Sequence, residues 1–182
     1  FAGLIATILL CACGSGGDSN SDSNNDSGGD TTNLASTCGA IQDGSLKNPV
    51  TNAEYVSVDV VAADTVIITH ISGTQAGNSQ LIKLQGITTD GVESRLVDQA
   101  KSKLESIAGS AAYLVIANQS CSVTVIGGGI GTYGQLFTSN GANVNEQLLA
   151  TGGVVPASDA CGGDQLVSCY QGIPVNEAVS DM

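Results

Sequence analysis

The sequence predicts a mainly β domain, a small barrel carrying two helices. Three observations support this. Apolar residues alternate with polar ones in short runs, as where Val56, Val58 and Val60 flank Ser57 and Asp59, which is the period of a half-buried strand. Only two stretches have apolar residues at helical spacing. Twenty-four glycines among 182 residues break the chain into short elements, and a hydrophobic fraction of 42% is enough to fill a core at this length.

The elements follow in order. Val56–Val60 is the first strand. Asp64-Thr65 marks a turn, and Val66–Ile71 is a second, apolar strand. A polar turn around Gly73–Asn78 leads to a third strand, Gln80–Ile87. Leu96, Val97, Ala100, Leu104, Ile107 and Ala108 fall on one helical face, with Gly109 placed to stop the helix. Ala111–Ala117, Ser122–Ile126 and Gly134–Ser139 read as strands, the last ending in the hairpin dipeptide Asn140-Gly141. Asn143 and Glu146 have capping-box spacing and open a short helix through Leu148 and Leu149, stopped by Gly152-Gly153. Three strands, a helix, further strands and a short helix is the order of an OB-fold variant.

Charge narrows the function. Seventeen acidic residues face five basic ones, a net charge of −12, and Arg95 is the only arginine. Strong non-specific grip on nucleic acid needs Lys and Arg against phosphates, so it is excluded. A basic membrane-surface helix is excluded for the same reason. Residues 1–13, FAGLIATILLCAC, form an apolar run of signal-peptide length, too short to span a bilayer. Its end, Leu10-Cys11-Ala12-Cys13, resembles the lipobox of bacterial lipoproteins, which implies lipidation of Cys13, export, and anchoring in the cell envelope at the outer membrane. The partner so implied is a lipid bilayer reached through a lipid anchor, with no transmembrane helix. Residues 14–37 are rich in Gly, Ser, Asn and Asp and read as a disordered linker. Asp18, Asp22, Asp26 and Asp30 recur there every fourth residue, but Ser27 and Asn33 stand where a calcium-binding EF-hand loop needs its Gly and Glu. The domain then spans 38–170, with a tail at 171–182.

Export leaves four cysteines to pair. Four cysteines allow three connectivities; Cys161 and Cys169 are close in sequence, which favours Cys161–Cys169 with Cys38–Cys121. No CxxC spacing is present and His70 is the only histidine, which disfavours a Cys–His catalytic pair. Gly129–Gly134 satisfies GxGxxG, but a strand follows it instead of the helix a dinucleotide site requires, so a glycine-rich hairpin loop is expected.

Four segments, in order, resemble the staphylococcal nuclease (thermonuclease) family. AADTVIIT at 62–69 is similar to its Gly-Asp-Thr turn, and IKLQGITT at 82–89 to its Arg-Leu-x-Gly-Ile-Asp-Thr-Pro-Glu segment. Tyr133-Gly134-Gln135 stands at its Tyr-Gly-Arg. NGANVNEQLLATGGVV at 140–155 is similar to its hairpin and second helix. The resemblance implies a five-stranded OB-fold-like barrel. It also implies Ca²⁺ as cofactor, a glutamate base and two arginines acting on a phosphodiester of DNA or RNA.

Carried over position by position, the family's first calcium aspartate falls on Asp64 and its threonine on Thr89. Its first arginine falls on Lys83 and its second on Gln135. Ungapped, the second aspartate falls on Thr88 and the glutamate on Gly91. A loop two residues longer would put a calcium carboxylate at Asp90 and the base at Glu93. The metal set implied is Asp64, Thr89 and Asp90, and the degenerate catalytic set Lys83, Glu93 and Gln135. Each lost donor to developing charge costs about 10²–10³ in rate. The resemblance therefore implies an envelope-anchored lipoprotein with a catalytically degenerate domain, a binding or structural module that nucleic acid meets only weakly. The alternative is a weak Ca²⁺-dependent endonuclease. Oligomeric state is not encoded in any of these features.

Overall fold

In the computed structural model, residues 38–42, 45–47, 53–109, 112–116, 120–125, 127–159 and 161–175 are described. The expected signal segment with Cys13 and the linker 14–37 lie outside them. The chain begins with a hairpin, β1 (Ala40–Gln42) and β2 (Ser45–Lys47), in antiparallel register Ile41 to Leu46. The main sheet then forms from β3 (Glu54–Ala62), β4 (Thr65–His70) and β5 (Ser79–Leu84), joined as a meander. A two-residue strand β6 (Ile87–Thr88) leads into helix α1 (Ser94–Ala108). β7 (Ala112–Ile116), β8 (Ser122–Thr124) and β9 (Ile130–Thr138) follow, then α2 (Val144–Leu149), β10 (Val155–Pro156) and α3 (Gly163–Tyr170).

Among the described residues the fold is mainly β with three helices. The large sheet runs β5-β4-β3-β7-β9-β8, and β5 also pairs in parallel with β9. That last pairing sets Ile82, Lys83 and Leu84 against Thr132, Tyr133 and Gly134. One face of these strands supplies the core: Val56, Val66, Ile68, Ile82, Leu84, Leu114 and Leu136 are all buried. Ala100 and Leu104 of α1, Leu148 and Leu149 of α2, and Leu166 and Tyr170 of α3 complete it. Each large aliphatic side chain so buried contributes about 1.5–3 kcal/mol. Among the described residues no helix is long and apolar enough to cross a membrane.

Glycines account for two departures from the expected elements. β9 begins at Ile130, inside the stretch expected to be a hairpin loop. Gly131 lies in that strand because the Leu81 carbonyl passes so close that a Cβ would sit 2.7 Å from its oxygen. The third strand stops at Leu84, not Ile87, because Gly86 turns the chain at φ +78°. Gly153 lets α1 pack against the chain after α2, where a Cβ would run into the Leu96 carbonyl. α1 does end at Gly109, though with right-handed backbone (φ −65°). Asn143 caps α2 as expected, its Oδ1 accepting the Asn145 N–H at 2.9 Å, while Glu146 Oε1 accepts the Cys38 N–H at 2.6 Å.

Among the described residues two disulfides form, and their partners differ from the expected ones. Cys38 joins Cys169, and Cys121 joins Cys161. The expected Cys161–Cys169 and Cys38–Cys121 pairings fail because α3 separates Cys161 from Cys169. A helix rises about 1.5 Å per residue, so the stretch from Gly163 to Cys169 alone extends about 9 Å, beyond the roughly 7 Å Cα limit of a disulfide. The same helix carries Cys169 to the N-terminal hairpin, Cα to Cα 5.8 Å from Cys38. Two cystines fit folding in an oxidising, exported compartment.

Candidate functional site

The site is built where the β3–β4 turn meets β5. Strand β3 carries a register shift between Val60 and Ala62, and the turn at Ala63-Asp64 folds inward. Asp64 is 0% exposed, and its main-chain oxygen accepts the Leu84 N–H at 2.8 Å, which fixes the turn against β5. Thr65 and Lys83 are direct cross-strand partners, so both side chains reach the same carboxylate. Thr65 Oγ1 donates to Asp64 Oδ1 at 2.9 Å. Lys83 Nζ forms an ion pair with Asp64 Oδ2, to which Thr89 Oγ1 also donates at 3.5 Å. The Lys83 side chain is 19% exposed, so this pair is largely withdrawn from water.

Tyr133 faces Lys83 across the parallel β5–β9 pairing. Its hydroxyl is held above the usual phenol range, first by partial burial, then by the Asp159 and Asp64 carboxylates. Asp159 is tied down in turn: it accepts the N–H groups of Cys161 at 2.8 Å, Gly163 at 3.1 Å and Gly86 at 3.2 Å.

The sequence-expected site residues divide into three groups. Asp64, Lys83 and Thr89 come together. Asp90 and Glu93 are exposed: the Asp90 N–H donates to Thr88 Oγ1 at 3.2 Å, and Glu93 is the N-cap of α1 with Oε1 3.6 Å from Arg95 Nε. Among the described residues no three His, Cys, Asp or Glu side chains are grouped to hold a metal ion. Gln135 is 0% exposed and serves the N-terminal segment: its Oε1 accepts the Ile41 N–H at 2.8 Å and its Nε2 donates to the Gly39 carbonyl at 3.3 Å.

Sequence reasoning missed Asp159, Asn143 as more than a cap, and Tyr170. Asn143 Nδ2 donates to the Cys38 carbonyl and to the Tyr170 hydroxyl, each at 3.3 Å. The Tyr170 phenol is pushed up to about 12, chiefly by burial and against the opposing hydrogen bonds of Asn143, Asn145 and Gln135. The available signal was Leu166 and Tyr170, four apart after Gly162-Gly163, which is helical spacing after a break.

No protein-family model and no curated protein matches the chain.

Proposed function

We propose that this chain is an exported lipoprotein, anchored at Cys13 in the outer membrane. Its staphylococcal nuclease-like OB barrel is catalytically degenerate and acts as a binding or structural module. The barrel reading is supported by the parallel β5–β9 pairing, which returns the ladder from its fifth strand to its first. Export is supported by the two cystines. Loss of catalysis rests on one observation above all: the single buried carboxylate at the site is already neutralised by Lys83 and bound by Thr65 and Thr89. Ca²⁺ takes six to eight oxygen ligands and needs carboxylates free to turn toward it. This donor set, one carboxylate with an ammonium on it, does not fit that ion.

The test is direct. The purified full chain with Cys11→Ser and Cys13→Ser is titrated with Ca²⁺ by calorimetry and assayed on single- and double-stranded DNA and on RNA. The expected result is no saturable Ca²⁺ heat and no turnover. Ca²⁺-dependent cleavage that Asp64→Ala abolishes would establish instead the weak nuclease using Asp64, Asp90, Glu93 and Lys83.

A further inference from the structure

The ion pair at the β3–β4 turn holds two groups that react with each other when water is kept away. Lys83 Nζ touches Asp64 Oδ2. The main chain keeps them there: the Asp64 carbonyl accepts the Leu84 N–H at 2.8 Å, and Thr65 is the cross-strand partner of Lys83. Each carboxylate oxygen also takes a hydroxyl. Thr65 Oγ1 donates to Oδ1 at 2.9 Å and Thr89 Oγ1 to Oδ2 at 3.5 Å, which draws electron density away from Cγ. Asp64 is 0% exposed, Thr65 2%, and the Lys83 side chain 19%. A primary amine thus rests on a carboxylate polarised at both oxygens, in a place nearly free of water. Such fixed proximity turns a bimolecular encounter into an intramolecular step. Burial adds a driving force, because both ions of a pair must be desolvated whereas an amide carries no charge.

We propose that Asp64 and Lys83 form a self-modification site, at which the folded chain condenses the two side chains into an isopeptide bond. The Lys83 nitrogen attacks Asp64 Cγ, and an N–C bond forms. The Cγ–Oδ2 bond breaks, and Oδ2 leaves as water with two of the ammonium protons. The third proton stays on the amide nitrogen. Ammonium and carboxylate become a neutral amide and water, so the step needs no further reactant. Oδ1 remains as the amide oxygen, with the Thr65 hydroxyl already donating to it. The ion pair is the state reached on folding, and the amide accumulates from it. The product ties the β3–β4 turn to β5 between residues 19 apart, and constrains the unfolded chain as a disulfide would. The inference rests on the reading that Ca²⁺ does not claim Asp64, and says what that carboxylate does instead.

The test uses the full chain with Cys11→Ser and Cys13→Ser, incubated folded at neutral pH for several days, then denatured and digested with trypsin. Trypsin cleaves after a free lysine and passes over an amidated one. Residues 48–95 should therefore appear as one peptide, lighter than its sequence by one water, with fragmentation placing the link between Asp64 and Lys83. A succinimide at Asp90-Gly91 would also lose water, but it leaves cleavage after Lys83 intact and so is told apart. Lys83→Arg keeps the cation without the primary amine and should give no linked peptide. Recovery of residues 48–83 and 84–95 as separate, unmodified peptides from the incubated chain overturns the proposal and leaves the Ca²⁺ reading standing. Millimolar Ca²⁺ during the incubation should not change the yield of the link. A link that forms without Ca²⁺ and is suppressed by it upholds the site and overturns the reading that Ca²⁺ does not bind there.

Discussion

Lys83→Met isolates the ion pair on which the functional reading depends. Methionine keeps much of the lysine stem and removes the ammonium. Asp64, 0% exposed, would then have the Thr65 and Thr89 hydroxyls but no ammonium beside it. Removing one partner of a buried pair typically costs about 3–5 kcal/mol, because the other charge is left uncompensated. Lys83 is 19% exposed, so water screens part of the loss and about 3 kcal/mol is expected. For a domain of this size that lowers Tm by roughly 6–12 °C. The assay is urea unfolding followed by far-ultraviolet circular dichroism, with and without millimolar Ca²⁺. Asp64→Asn/Lys83→Met, which removes both charges, should recover most of the loss. A loss below about 1 kcal/mol, the range of an exposed pair, would refute the burial argument. Recovery of the single variant by Ca²⁺ would refute the functional one, since the freed carboxylate would then be a metal ligand.

Three further outcomes follow from other parts of the fold. Tyr170 should titrate at about 12 and Tyr133 above the ordinary phenol value, by absorbance of the folded chain. Because Tyr170 holds its proton more tightly folded than unfolded, its contribution to stability is intact below the unfolded value near 10 and is lost as pH rises through about 12, so alkaline unfolding should fall in that window. A non-reducing peptide map should recover Cys38 linked to Cys169 and Cys121 linked to Cys161. With separations of 131 and 40 residues, chain entropy values these bonds at about 5 and 4 kcal/mol as upper figures, so removing the first should cost more. Gly86→Ala forces an L residue to φ +78° and puts a Cβ 2.9 Å from Leu166 Cβ, so roughly 2–4 kcal/mol should be lost in thermal unfolding.

Periodicity made the β3–β4–β5 meander and the faces of α1 and α2 legible, because those elements bury one side and expose the other. Asn143 was legible as a cap because capping is a local bond. The β1–β2 hairpin was not, since three-residue strands are too short to show a period. α3 was hidden by the glycines at its start, and with it the disulfide pairing, which depends on where a helix carries Cys169. The start of β9 was misread for a related reason. Gly131 looks like loop punctuation in sequence, and only the approach of Leu81 reveals it as a strand residue.

Gln135 shows most clearly what a sequence alone leaves undecided. Set against the resemblance, it is an arginine position that has lost its charge. In the fold it is a carboxamide that must both donate and accept: Nε2 to the Gly39 carbonyl, Oε1 from the Ile41 N–H. Guanidinium only donates. Gln135→Arg, which installs the arginine that the resemblance implies, would therefore strip the Ile41 N–H of its partner, at about 1–3 kcal/mol. It would also place a charge at a position that is 0% exposed, at a further cost of several kcal/mol, on the order of that for an unpaired buried ion. The expected result is a chain destabilised by about 4 kcal/mol or more, with no gain in nuclease activity. Thermal unfolding and a Ca²⁺-dependent DNA cleavage assay on the same preparation decide it. A Gln135→Arg chain that keeps wild-type stability and acquires cleavage would make position 135 a catalytic subsite, and the Gln135 hydrogen bonds to Gly39 and Ile41 incidental.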